Sequence, residues 1–169
     1  MYSPFPASAF NLKIIRTGWF RAKFELTDGK ATYGELVYPY FFTKKAVVKT
    51  ASASWVFQQK FFSRTISITD ENSLAVGELR MKWFGRNAEL HLANGSKFTF
   101  SRPSFWKRKY FWLDDQQKQI ATVQPHFFSG TMDIAFEKNL QPQTLPLLLV
   151  FLGTHLITLR RRRRAAAAH

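Results

Sequence analysis

Residues 145–159, LPLLLVFLGTHLITL, are apolar almost all round and run directly into Arg160, Arg161, Arg162, Arg163 and Arg164. A helix with no polar face must be surrounded, either by protein or by lipid. Thr144 suits an N-cap and Pro146 is tolerated in a first turn, so the sequence predicts a helix starting near Leu145. The arginines and the alanines at 165–168 are good helix formers and extend it through 164 and beyond. The apolar part would be roughly 22 Å long at about 1.5 Å per residue, whereas a bilayer core asks for about 20 apolar residues. Thr154, His155 and Thr158 also make it slightly polar for a span.

Topology weighs the same way. Arginines at 160–164 would hold that end in the cytoplasm, which would require about 140 preceding residues to be translocated. The opening residues MYSPFPASAFNLKII have no basic stretch followed by an apolar one, as a signal peptide would. The expectation is therefore a buried core helix in a cytoplasmic protein. A tail-anchored protein with a transmembrane segment at 145–159 is the alternative, and an interfacial helix ranks behind it.

The rest of the chain reads as β-structure. Short runs that favour strands fall at 10–15, 19–27, 31–38, 46–50, 54–59, 65–69, 74–83, 88–92, 97–101, 109–113, 119–124 and 131–136. Asp28-Gly29 and Asn94-Gly95 are strong hairpin signals, and the segments at 70–73 and 114–117 look like longer turns. Ala88, Leu90 and Leu92 alternate with Glu89 and His91; Phe98 and Phe100 alternate with Lys97, Thr99 and Ser101; Ile66 and Ile68 alternate with three polar residues. That is the pattern of a sheet with one buried face. No linker or repeat divides the 169 residues, so 1–169 reads as one domain, strands at about 10–136 and helix at about 145–164.

A sheet of about twelve antiparallel strands curls or closes, and closure removes its edges. A barrel that wide cannot be filled by its own side chains. Threading the apolar helix along the axis satisfies both elements. Leu148, Phe151, Leu152, His155, Leu156 and Leu159 would then be core, and the arginines would emerge at one mouth. The predicted fold class is a mainly β, closed antiparallel barrel of about 12 strands wrapped around one buried hydrophobic C-terminal helix.

In strand number, turn punctuation and the helix at 145–159, the chain resembles the tubby C-terminal-like superfamily, which groups tubby-like domains, phospholipid scramblases and LURP-one-related proteins. The resemblance covers roughly residues 10–164 and implies a twelve-stranded barrel around a central hydrophobic helix. For function it implies a binding or scaffold module, with phosphoinositide binding in tubby-like domains and calcium-linked lipid movement in scramblases. The cysteine cluster and proline-rich N-terminal region typical of scramblases are missing, as is an acidic calcium loop.

Charge narrows the partners. The net charge is +14, and the chain would attract anionic surfaces, lipid before nucleic acid. The segment RPSFWKRKYFW at 102–112 places Arg102, Lys107, Arg108 and Lys109 among Phe105, Trp106, Tyr110, Phe111 and Trp112. Such a mixture suits a membrane interface or stacking on single-stranded nucleic acid. It equally suits a strand and loop whose aromatics enter the barrel while the cations stay in water. Phe41-Phe42 with Lys44 and Lys45, and Phe61-Phe62 between Lys60 and Arg64, repeat the theme. Candidate contacts to anionic lipid or phosphate are thus Lys44, Lys45, Arg102, Lys107, Arg108, Lys109 and Arg160 to Arg164. The arginine run could instead be a solvated helix end that suits the helix dipole.

Catalysis finds little footing. His91, His126, His155 and His169 lack metal-ligand spacing, and His155 reads as a core or barrel-mouth histidine. With no cysteine there is neither a disulfide framework nor a thiolate zinc site. Phosphate loops, nucleophile elbows and zinc-protease motifs are all missing from the sequence. The expectation is a non-enzymatic module without metal or cofactor.

Overall fold

The computed structural model describes residues 1–6, 11–18, 21–40, 43–60, 62–82, 87–104, 106–137, 140 and 142–168. Twelve strands precede one helix: β1 (Leu12–Thr17), β2 (Lys23–Thr27), β3 (Thr32–Val37), β4 (Lys45–Thr50), β5 (Ser54–Gln59) and β6 (Thr65–Asp70). They continue with β7 (Ala75–Met81), β8 (Ala88–Leu92), β9 (Lys97–Ser101), β10 (Tyr110–Leu113), β11 (Gln119–Pro125) and β12 (Met132–Phe136), then α1 (Thr144–Ala167). Every strand pairs antiparallel with its neighbours in sequence, and β1 pairs with β12, with Leu12 opposite Ile134, to close the barrel.

Each of the twelve expected strands has its counterpart. The expected starts at Phe10 and Trp19 and the expected end at Trp83 lie outside the described residues. Leu74, expected in a strand, is instead exposed in the turn before β7, where Asp70 Oδ1 accepts from the N–H groups of Asn72 and Leu74. Asp28 Oδ1 likewise accepts from Lys30 and Ala31, and Asp114 Oδ1 from Gln116 and Lys118. These carboxylates replace backbone partners that a tight turn cannot supply. Gly29 and Gly95 take the left-handed conformation that their hairpins demand, both at φ 89°.

The helix runs inside the barrel. From Pro146 to Leu159 each helical residue is buried, in one apolar core shared with buried side chains from all twelve strands. Three details let a partly polar helix sit in an apolar jacket. Thr154 Oγ1 donates to the Val150 carbonyl and Thr158 Oγ1 to the Thr154 carbonyl, so both hydroxyls are satisfied within the helix. Trp112 Nε1 donates to the Leu149 carbonyl at 2.9 Å. Gly153, one turn further on, has no side chain to obstruct that bond; a Cβ there would sit 3.1 Å from Phe100 and 3.2 Å from Trp112 Nε1.

One local expectation is corrected. Thr144 is the first residue of the helix rather than its cap; Gln143 occupies the cap position in helical conformation with no side-chain hydrogen bond. The chain enters the helix from a turn in which Leu145 N–H already donates to the Pro142 carbonyl, so a capping hydroxyl has less to satisfy.

Candidate functional site: one mouth of the barrel

In a closed meander, successive connections alternate between the two ends. The segments 18–22, 38–44, 60–64, 82–87, 102–109 and 126–131 therefore share one end. The other end holds the segments 28–31, 51–53, 71–74, 93–96 and 114–118, together with the lead into α1. The helix enters at this second end and leaves at the first. Arg161 Nη2 donates to the His126 carbonyl and Arg162 Nη1 to the Thr43 carbonyl, both on connections of the first end.

At this exit mouth, each of the six connections contains an adjacent aromatic pair: Trp19-Phe20, Phe41-Phe42, Phe61-Phe62, Trp83-Phe84, Phe105-Trp106 and Phe127-Phe128. Not one of the six contains an aspartate or glutamate, and five carry lysine or arginine. Trp19, Phe20, Phe41, Phe42, Phe61, Trp83, Phe84 and Phe105 lie outside the described residues and count here by their place in the chain alone. The described members are all exposed: Phe62 at 96%, Trp106 at 95%, Phe127 at 63% and Phe128 at 93%, with Tyr40 beside them at 74%. Large apolar rings exposed at one end of a barrel, on separate loops, make that end the candidate interaction surface.

All the cations expected to meet anions gather at this same end. Lys44 and Lys45 lie where the third connection meets β4 and are exposed, as are Lys107, Arg108 and Lys109 on the connection after β9. Arg102 is the exception in burial: it is tucked into the rim at 8% exposure, so it is no solvent-facing contact. The arginine run splays around the opening. Arg160 lies over the rings of Tyr110 and Phe100, centroids 5.5 and 5.9 Å away, and Arg162 over Tyr38 at 4.2 Å. Arg163 and Arg164 are exposed. The run is therefore partly a stacked seal and only partly a solvated helix end.

In the segment 102–112 position along the chain decides the environment. Tyr110 and Trp112 enter the barrel core, while Trp106, Lys107, Arg108 and Lys109 are exposed. Lys60 and Lys82 turn to the barrel wall, where they meet Glu78 at 3.6 Å and Glu89 at 2.7 Å. His126 Nε2 lies 2.6 Å from Asp133 on β12.

Compared with protein-family models, curated proteins and solved structures, the chain has no match.

The helix core residues Leu148, Phe151, Leu152, His155, Leu156 and Leu159 are all buried as expected. His155 Nδ1 shares a 2.7 Å hydrogen bond with the Tyr38 hydroxyl, and its ring stacks on Tyr38. Nε2 has no partner among the described residues. Burial, with Arg162 adding to it, pushes the imidazole down to about 3, so it is neutral at physiological pH. Among the described residues no group of histidines and carboxylates could hold a metal ion.

Three aromatic pairs are not singled out by sequence alone. Trp19-Phe20 and Trp83 fall within expected strands, and Phe84 and Phe127-Phe128 lie between expected strands. The signal that finds them is an aromatic pair at every second turn, which has meaning only once alternate turns are known to share one end.

Proposed function

We propose that this protein is a non-enzymatic, peripheral membrane-binding module that docks through its exit mouth on the anionic face of a bilayer, with the cytoplasm as its setting. The observation that carries the reading is the coincidence, at one end only, of exposed aromatic rings and cations in segments without a carboxylate. Aromatic side chains favour the headgroup region, where their apolar bodies leave water and their polar tips stay hydrated. Lysine and arginine near an anionic surface each add about 1 kcal/mol of attraction. Neither contribution needs a cavity or a catalytic group.

The helix is the one described element long and apolar enough to cross a bilayer, but 78% of its apolar window is already buried inside the barrel. A tail-anchored arrangement would have to empty the barrel. The barrel-and-helix plan is the one implied by the resemblance to the tubby-like superfamily, which makes that family the natural proposal for the fold's relatives. Nucleic-acid binding is the competing reading. Exposed rings spread on separate loops around an opening suit a flat surface better than the single track of a strand of bases.

Co-sedimentation with neutral and anionic vesicles across a salt series tests the proposal. Pelleting with anionic vesicles, weakened but not abolished by salt, is expected. Indifference to vesicles combined with tight, salt-steep binding of single-stranded RNA would overturn it in favour of the competitor.

A further inference from the structure

A pocket of about 280 Å³ opens at the exit mouth, between the end of α1 and the connections after β9 and β11. Arg160, Arg161 and Arg164 line it from the helix, Arg102 and Arg108 from the connection after β9, and Tyr110 from the start of β10. No carboxylate is among its lining residues. Five guanidinium groups around so small a space repel one another, and two are costly to keep charged. Burial first, then the nearby Arg102 and Arg164, holds Arg160 below the usual guanidinium range, and burial does the same to Arg161.

The cluster is also held in place. Arg108 stacks over the Phe127 ring at 4.1 Å, Arg160 over Tyr110, and Arg161 is tethered to the His126 carbonyl at 3.3 Å. Stacking fixes a guanidinium plane and so sets the direction in which its N–H edge can donate. Planes fixed around one opening are suited to an anion with several terminal oxygens, each taken by a bidentate fork. A phosphate monoester has three such oxygens and a charge of about −1.5 to −2 near neutral pH. A phosphodiester and a carboxylate each offer two free oxygens and a single charge.

We infer that this pocket binds a terminal phosphate monoester and discriminates against diesters. The same group is presented by a monoester lipid headgroup and by a small soluble phosphate. The lipid source rests on the membrane-docking reading; the chemistry of the pocket does not.

The test compares vesicles containing phosphatidic acid with vesicles containing phosphatidylserine at matched surface potential, and measures glycerol 3-phosphate binding in solution by thermal shift. Wild-type protein is run beside an Arg108→Gln/Arg164→Gln variant, both exposed side chains outside the core, and beside Trp106→Ser. A preference of about tenfold for phosphatidic acid is expected from two added charge-assisted hydrogen bonds. It should vanish in the double arginine variant, whose remaining adsorption, weakened by the loss of two cations, no longer distinguishes the two lipids, and survive in Trp106→Ser. If the protein ignores both vesicles but binds glycerol 3-phosphate through the two arginines, the pocket stands with a soluble ligand and the membrane reading falls. Equal adsorption to both vesicles with no glycerol 3-phosphate binding would overturn the pocket, as would a preference that outlives the double arginine variant.

Discussion

The two mouths of the barrel are built from the same strands and could hardly differ more. The connections at the entry mouth hold Asp28, Glu71, Asp114 and Asp115 and not one phenylalanine, tryptophan or tyrosine. Those at the exit mouth hold an aromatic pair each and no acid. At the entry mouth the carboxylates serve the fold locally, tying their own turns as Asp28 and Asp114 do with the N–H groups that follow them. Phe62, Trp106 and Phe128 are almost fully exposed. A turn needs asparagine, aspartate or glycine and does not need tryptophan. Turn formation thus accounts for the residues of the entry mouth, while the exit-mouth pairs form the proposed docking surface.

The contrast extends into the helix. Its entry half is aliphatic, whereas the exit half carries Thr154, His155, Thr158 and the arginines. The largest expected effect breaks both ends together. Phe151 is completely buried and touches the backbone side of β3, lying 3.1 Å from where a Cβ on Gly34 would sit. Phe151→Asp would place an unpaired charge there and should cost about 4–5 kcal/mol or more, enough to prevent folding. A soluble, cooperatively melting variant would show that the strands do not depend on the helix.

Acid should separate the two halves of the helix. The native His155 titrates near 3, below its unfolded value, so between those values the unfolded chain binds the extra proton. Its contribution is fully present above the unfolded value, about 6.5, and is lost as pH falls from there toward 3. Stability measured by urea melts should decline over that window, and His155→Phe should flatten the slope. Hydrogen exchange at pH 5 should show the exit half opening first. Faster exchange in the aliphatic half would contradict the assignment.

Next in size is the aromatic rim. Trp106→Ser combined with Phe128→Ser should weaken vesicle binding by tenfold or more, since full insertion of such a side chain is worth about 1.5–3 kcal/mol. Leu74→Ser, at an exposed position of the entry mouth, serves as the control and should leave binding unchanged. Equal losses from both variants would erase the distinction between the ends. The smallest effect belongs to the turns. Asp114→Ala should cost about 1 kcal/mol of stability through its lost hydrogen bonds, with vesicle binding intact.

Much of this architecture is legible in the sequence because its signals are local. Alternation in Thr65 to Thr69 or Ala88 to Leu92 marks a half-buried strand, and Asp-Gly and Asn-Gly mark hairpins. The central helix follows from an apolar segment that has to be covered and a barrel that has to be filled. The unequal mouths are harder to read, since they emerge only when turns two strands apart are brought to one end. Trp19 and Trp83 illustrate the difficulty: aromatic residues also favour strands, so an aromatic rim can look like the continuation of its own sheet. The burial of Arg102 is equally hidden, because nothing in RPSFWKRK distinguishes an arginine tucked against the rim from its exposed neighbours. The pocket joins residues some sixty positions apart, a proximity no spacing rule encodes.

The order of elements along the chain has a consequence for the protein's synthesis. A ribosome makes all twelve strands before it makes the helix that fills them. Until then the nascent chain has many inward-facing aromatics and nothing for them to close around, and its first strand must wait for its twelfth. Contacts of that range form slowly. Compaction of the barrel is thus deferred until the helix has been made, and during that interval the unfinished sheet is a natural client for chaperones.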